Sequence, residues 1–137
     1  MRWELKHVHY MPSELQPGVL YVSDEFEIAA HLCACGCEAK VRTPLDHTEW
    51  KLEETTDGPS LYPSIGNWQL PCQSHYWIRN GQTIWAPSWT PEEIAEGRRC
   101  EIARREAYYE GLHKEPSRWR SFWNWVKRLF LKGRPAD

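Results

Sequence analysis

The sequence predicts an α+β protein: a small, mainly antiparallel β domain stapled by a zinc site and followed by one or two C-terminal helices. Three observations carry this. Between Val19 and Ala86, short runs rich in β-branched and aromatic residues alternate with turn residues. Four of the five cysteines fall in two short stretches, H-L-C-A-C-G-C at His31 to Cys37 and P-C-Q-S-H at Pro71 to His75. A capped helical pattern opens at Thr90.

The 137 residues fit one domain, or one small domain with an appendage. Expected strands, in order, are V-L-Y-V after Pro17-Gly18, E-I-A-A-H-L-C, E-A-K-V-R-T-P-L, W-K-L-E-E-T and S-L-Y-P-S-I. A hairpin follows in H-Y-W-I-R-N-G-Q-T-I-W-A, where Asn80-Gly81 supplies the two positive-φ residues of a type I′ turn. These make residues 1–90 a zinc-containing β domain. A capped helix packed on it spans 91–112: Thr90 is the N-cap, Pro91 fits the first helical position, and Glu93 completes a capping box. Ile94, Ile102, Tyr109 and Leu112 can share one face of it, Glu101 and Arg105 are spaced for a surface pair, and Gly111 is the expected end. Cys100, on this helix, reads as an ordinary cysteine.

Residues 117–132 form an amphipathic tail helix in this reading, with Trp119, Phe122, Trp123, Val126 and Phe130 recurring at three- and four-residue steps among basic residues. From Lys114 to Asp137, seven Lys or Arg stand against two Asp or Glu, a net of +5, which leaves −7 for residues 1–113 of a chain whose total is −2. The stripe suits the acidic body of the chain itself, a partner, or an anionic membrane surface. A total of −2 does not suit general nucleic-acid binding. No signal-like or membrane-spanning apolar run is present, so the expected location is the cytoplasm, where clustered thiols are more often metal ligands than disulfides.

One metal ion cannot bridge Cys33 and Cys37 on a regular strand, since they would stand about 13 Å apart. The backbone must curl between them, and Gly36 permits the turn. Cys72 and His75, with two residues between them in a turn, can reach the same ion. The candidate Zn2+ ligands are Cys33, Cys35, Cys37, Cys72 and His75, with His31 in reserve, more than one zinc uses. Either four of them close a structural site, or three leave an open catalytic position. Glu38 is a candidate general base toward a zinc-bound water, or a solvated strand residue. Ser74 beside His75 is a candidate nucleophile, or a turn residue, and His31 is the third catalytic candidate.

The runs P-G-V-L-Y-V-S, H-L-C-A-C-G-C, S-L-Y-P-S-I-G-N-W and P-C-Q-S-H-Y-W-I-R-N-G-Q-T-I-W together resemble the bacterial family called domain of unknown function 6527, over roughly residues 14–110. Cys33, Cys35, Cys37, Cys72, Ser74, His75 and the Pro63–Asn67 stretch carry the match. The family run continues with glycine after the third cysteine, where this chain has Glu38. The resemblance implies a zinc-dependent peptidase that processes or deconjugates a bacterial ubiquitin-like protein, with that protein and its E1- and E2-like enzymes as partners. Its alternative is a non-catalytic zinc-stapled module that binds the ubiquitin-like protein or its conjugating enzymes.

Overall fold

The computed structural model describes residues 1–113 and 122–128. The chain forms two compact units, Met1–Arg99 and Cys100–Asp137. In the first, eight strands make two four-stranded sheets. One sheet has the order β1(Glu4–His7), β2(Val19–Ser23), β3(Ile28–Leu32), β4(Lys40–Pro44). The other runs β5(Lys51–Thr55), β6(Gly58–Gly66), β7(His75–Arg79), β8(Gln82–Trp85). All neighbours pair antiparallel except β1 and β2, which are parallel.

The expected strands from Val19 onward all form: β2 and β3 are nearly continuous buried runs, and β4 alternates with the pleat. In β4, Val41 and Thr43 are buried while Lys40, Arg42 and Pro44 are exposed. One core draws on both sheets: Leu20, Val22, Ala29 and Val41 from the first, Leu61, Ile65, Tyr76 and Ile78 from the second. Asn80 and Gly81 have φ of 48° and 71°, as the two-residue hairpin turn requires.

β1 is not foreseen in the sequence. Its E-L-K-H has no apolar alternation, and only Leu5 among its residues is even half-buried. What fixes it is its surroundings. Trp3, just before it, is buried, donates its backbone N–H to Gly81 O at 2.7 Å, and donates its indole N–H to Thr83 Oγ1 at 2.8 Å. The N-terminal segment thus ties the hairpin of the second sheet to the edge of the first.

Between Leu61 and Ile65 the β6–β7 register shifts: Leu61 faces Ile78 and Ile65 faces Tyr76, so Tyr62, Pro63 and Ser64 stand across from Trp77 alone. The Tyr62–Pro63 peptide bond, inside this bulge, is cis. Bulges re-aim side chains, and this one turns Ser64 toward β7.

α1(Pro91–His113) starts as expected. Thr90 N–H donates to Glu93 Oε2 at 2.7 Å and Glu93 N–H to Thr90 Oγ1 at 3.2 Å, a complete capping box. Arg105 pairs with Glu101 at 3.3 Å. The helix runs through Gly111 to His113 rather than ending at the glycine, and none of its residues is buried. Of the expected tail helix, residues 122–128 are helical, with Phe122 and Trp123 exposed and Val126 half-buried. Trp119 and Phe130 lie outside the described residues. Among the described residues no helix is long and apolar enough to cross a membrane.

His7 of β1 links the sheets electrostatically, with Nδ1 3.0 Å from Asp24 Oδ2 and Nε2 2.8 Å from Glu54 Oε1 of β5. Ionised carboxylates only accept, so the arrangement favours the imidazolium, which donates from both ring nitrogens. Burial is the largest single influence and opposes that charge, but the hydrogen bonds to Asp24 and Glu54 and the charges of both together outweigh it, and the pKa is raised above 6.5. A raised pKa gives stability that is complete below the unfolded value and is lost as pH rises through the folded one. The ring is largely exposed, so the gain is at most about 1 kcal/mol. In urea unfolding, the stability advantage of the wild type over His7→Gln should therefore shrink as pH rises from below 6.5 through neutrality.

Candidate functional site: a thiol cluster beside a serine–histidine pair

The segment after β3 curls as the cysteine spacing demands. Gly36 has φ of 89° and donates its N–H to Cys33 O at 3.2 Å, and Cys33 N–H donates to Ala39 O at 2.8 Å. Glu38 has φ of 61°, a left-handed conformation that glycine takes freely and other residues rarely adopt. Glu38 is exposed.

The other half comes from the β6–β7 loop. Asn67 N–H donates to Ser74 O at 2.9 Å, closing residues 67–74 into a tight excursion, and inner bonds from Leu70 to Asn67 and from Gln73 to Leu70 shape it. Cys72 at its tip meets the first knuckle. The sulfurs of Cys33, Cys35, Cys37 and Cys72 all lie within 4.8 Å of one another. Thiolates about 2.3 Å from one tetrahedral ion stand about 3.8 Å apart. The pairs Cys33–Cys35, Cys33–Cys72 and Cys37–Cys72 measure 3.4, 3.9 and 3.8 Å. The donor set fits a thiophilic metal ion in a four-sulfur site.

The protonation pattern agrees with that fit. The Cys72 thiol is pulled down to about 7, first by its hydrogen bond with the Ser74 side chain, with burial working against it. At Cys35 a backbone bond from Cys37 favours the thiolate, but the Cys37 side chain, burial and the thiols of Cys33 and Cys72 prevail and push it up to about 12. Four crowded sulfurs cannot all ionise without a cation among them.

His75 is not part of this group. Its Nδ1 lies 2.8 Å from Pro87 O and its Nε2 2.9 Å from Ser64 Oγ, so both ring nitrogens are engaged away from the sulfurs. A carbonyl only accepts, so Nδ1 carries the proton. Nε2 of the neutral ring is then the acceptor, and Ser64 donates its hydroxyl proton to it. This is the geometry in which an imidazole can remove a proton from a serine.

The register explains the meeting. His75 faces Gly66 across the β6–β7 ladder, and Ser64, two residues earlier on β6, sits diagonally from it on the same face. Aromatic rings wall the imidazole: Trp68, Trp89 and Trp77 have centroids 4.9, 5.1 and 5.8 Å away, and Trp68 stacks on Trp89. His75 is buried and Ser64 half-buried.

Ser74, adjacent to His75, has a different task. Its hydroxyl lies 3.0 Å from Cys33 Sγ and 3.5 Å from Cys72 Sγ, and it accepts from Asn67 Nδ2 at 2.9 Å. It therefore supports the sulfurs. His31 is fully buried on the far side of Tyr76, whose hydroxyl lies 2.8 Å from its Nε2. Burial holds its pKa down to about 4, so the ring is neutral. Cys100 is exposed. Ser64 is the functional candidate that residue-by-residue reading passes over. Its signal was the P-S-I-G-N stretch, read there only as part of the family match.

Fold and site define a small two-sheet β protein in which a four-thiol cluster able to hold a metal ion abuts a serine–histidine pair. The chain belongs to the family described as bacterial ubiquitination-like system serine protease (BubE), whose model matches residues 7–86. No curated protein and no solved structure matches it.

Removing the Ser74 hydroxyl takes a hydrogen bond from Cys33 Sγ. Ser74→Ala should weaken Zn2+ binding about 10- to 100-fold in competition with a chelating dye, while Ser64→Ala leaves it unchanged.

Proposed function

We propose that this chain is a serine peptidase that cleaves a ubiquitin-like protein of a bacterial ubiquitination-like system, at its precursor terminus or at its bond to a target. Ser64 is the nucleophile and His75 the general base. The observation that carries this reading is the 2.9 Å contact of Ser64 Oγ with His75 Nε2, together with the Pro87 carbonyl on Nδ1. The family description, which names a serine protease, supports the same chemistry.

Ser64 Oγ attacks the scissile carbonyl carbon as its proton passes to His75 Nε2. The Nδ1–H bond to Pro87 O keeps the ring in the required tautomer and stabilises the imidazolium, a duty that a carboxylate performs in the Ser-His-Asp arrangement. The imidazolium then protonates the leaving amine, the C–N bond breaks, and the acyl group remains on Ser64. A water molecule, deprotonated by His75, hydrolyses the ester and restores the hydroxyl. Trp68, Trp77 and Trp89 limit solvent around the ring.

Cys33, Cys35, Cys37 and Cys72 hold Zn2+ in this reading. Four thiolates saturate its coordination and quench its Lewis acidity, so the ion supplies a cross-link between two loops. This differs from a zinc-activated water, for which an open coordination position is needed. Glu38 then has no catalytic part, in keeping with its exposure.

The test is cleavage of a ubiquitin-like precursor by proteins of verified zinc content. Ser64→Ala and His75→Ala should each slow cleavage about a thousandfold or more while retaining zinc. Wild-type cleavage rates in Ser64→Ala would refute the assignment. Cys72→Ser should lose both metal and activity.

A further inference from the structure

Strand β6 outruns its neighbour. β5 pairs with it only from Gly58 to Tyr62, where Lys51 faces Tyr62, whereas β6 continues to Gly66 and stays paired with β7 on its other side. Among the described residues no strand covers β6 beyond Tyr62 on the β5 side. Trp50, which precedes β5, gives its N–H to Pro44 O instead.

The direction of the free backbone groups follows from the ladder. Successive residues of a strand aim their N–H and C=O to opposite sides. Asn67 N–H donates to Ser74 O, and Ile65 pairs with Tyr76, so residues 65 and 67 address β7. Gly66 between them presents both its groups to the open side, and Ser64 precedes it at the end of the bulge. Pro63 and Gly66 are exposed. A Cβ on Gly66 would lie 2.5 Å from Trp68 Nε1, so this indole lies across Gly66 and flanks the open edge. The outer edge of the β7–β8 hairpin is different, because the chain's own N-terminus occupies it: Thr83 N–H donates to Met1 O at 3.1 Å and Trp3 N–H to Gly81 O at 2.7 Å.

The geometry points to the uncovered edge of β6 at Ser64–Gly66 as the substrate slot, in which an extended peptide adds as a strand and lies along the serine that attacks it. The inference rests on Ser64 being the nucleophile. Unpaired backbone groups on a sheet edge are a template for another strand, and main-chain pairing supplies affinity with little regard to side chain. The slot therefore takes an unfolded terminal tail or linker and rejects a bond inside a folded element. It also brings the scissile peptide to the nucleophile without a separate binding domain.

The test uses full-length Ser64→Ala protein and a synthetic peptide spanning the cleavable bond of the ubiquitin-like precursor. Peptide binding should slow hydrogen exchange at the Gly66 amide at least about tenfold, the equivalent of one hydrogen bond. N-methylation of the peptide backbone should weaken binding at every second position and have little effect between them. Binding with unchanged Gly66 exchange, binding without that alternation, or no binding would each overturn the slot. Hydrolysis of the same peptide by the wild type is scored separately. Hydrolysis without Gly66 protection overturns the slot and leaves the serine peptidase standing; protection without hydrolysis leaves strand addition at this edge standing but overturns Ser64 as the nucleophile, and with it the edge as a substrate slot.

Discussion

Everything around the site depends on the meeting of two backbone excursions at four sulfurs. The Cys33–Cys37 knuckle belongs to one sheet, and Cys72 sits at the tip of a loop that links two strands of the other. Neither excursion has a core of its own: Cys35 and Cys37 are exposed and Cys72 is only partly buried. A small domain has little apolar area to spare for ordering such loops, and a metal ion held by the four sulfurs would supply the missing order. The loop that the cluster holds is closed by Asn67 and Ser74 and delivers His75 directly onto β7.

This makes neighbouring residues serve different chemistries. Ser74 and His75 are adjacent, yet strand alternation sends their side chains to opposite faces, one to the sulfurs and the other to Ser64. Asn67 Nδ2 also serves the cluster, 2.9 Å from Ser74 Oγ and 3.6 Å from Cys33 Sγ. The thiol cluster and the Ser–His pair therefore share one loop but no side chain. The bulge at Tyr62–Ser64 completes the arrangement by bringing a hydroxyl diagonally under the imidazole. The same strand then runs on past its neighbour, so nucleophile and open edge arise from one feature of topology.

Much of this was legible in the sequence, for identifiable reasons. The strands from Val19 to Trp85 follow from runs of β-branched and aromatic residues set between turn residues, the hairpin from Asn80-Gly81, and the helix start from Thr90 and Glu93. The curl at Gly36 and the approach of Cys72 follow from what thiolate ligation demands. β1 was not legible because its pairing rests on Trp3 reaching Gly81 and Thr83, contacts that no local pattern encodes. The Ser64–His75 pair was hidden for a similar reason. Spacing groups His75 with Cys72, while its actual partner depends on a strand register and a bulge that fix residue 64 across from residue 75. Pro87 O, the other partner, is a backbone group and leaves no sequence signature.

The dependence of the Ser–His pair on the thiol cluster can be read from one nucleus. Long-range 1H–15N NMR of the imidazoles distinguishes Nδ1–H from Nε2–H and reveals a metal-bound nitrogen. In the zinc-loaded protein at a pH where the ring is neutral, His75 should be the Nδ1–H tautomer with no metal on either nitrogen, and stripping the zinc should abolish that single state. A metal-bound His75 nitrogen, or an Nδ1–H tautomer that persists unchanged after complete zinc removal, would contradict it.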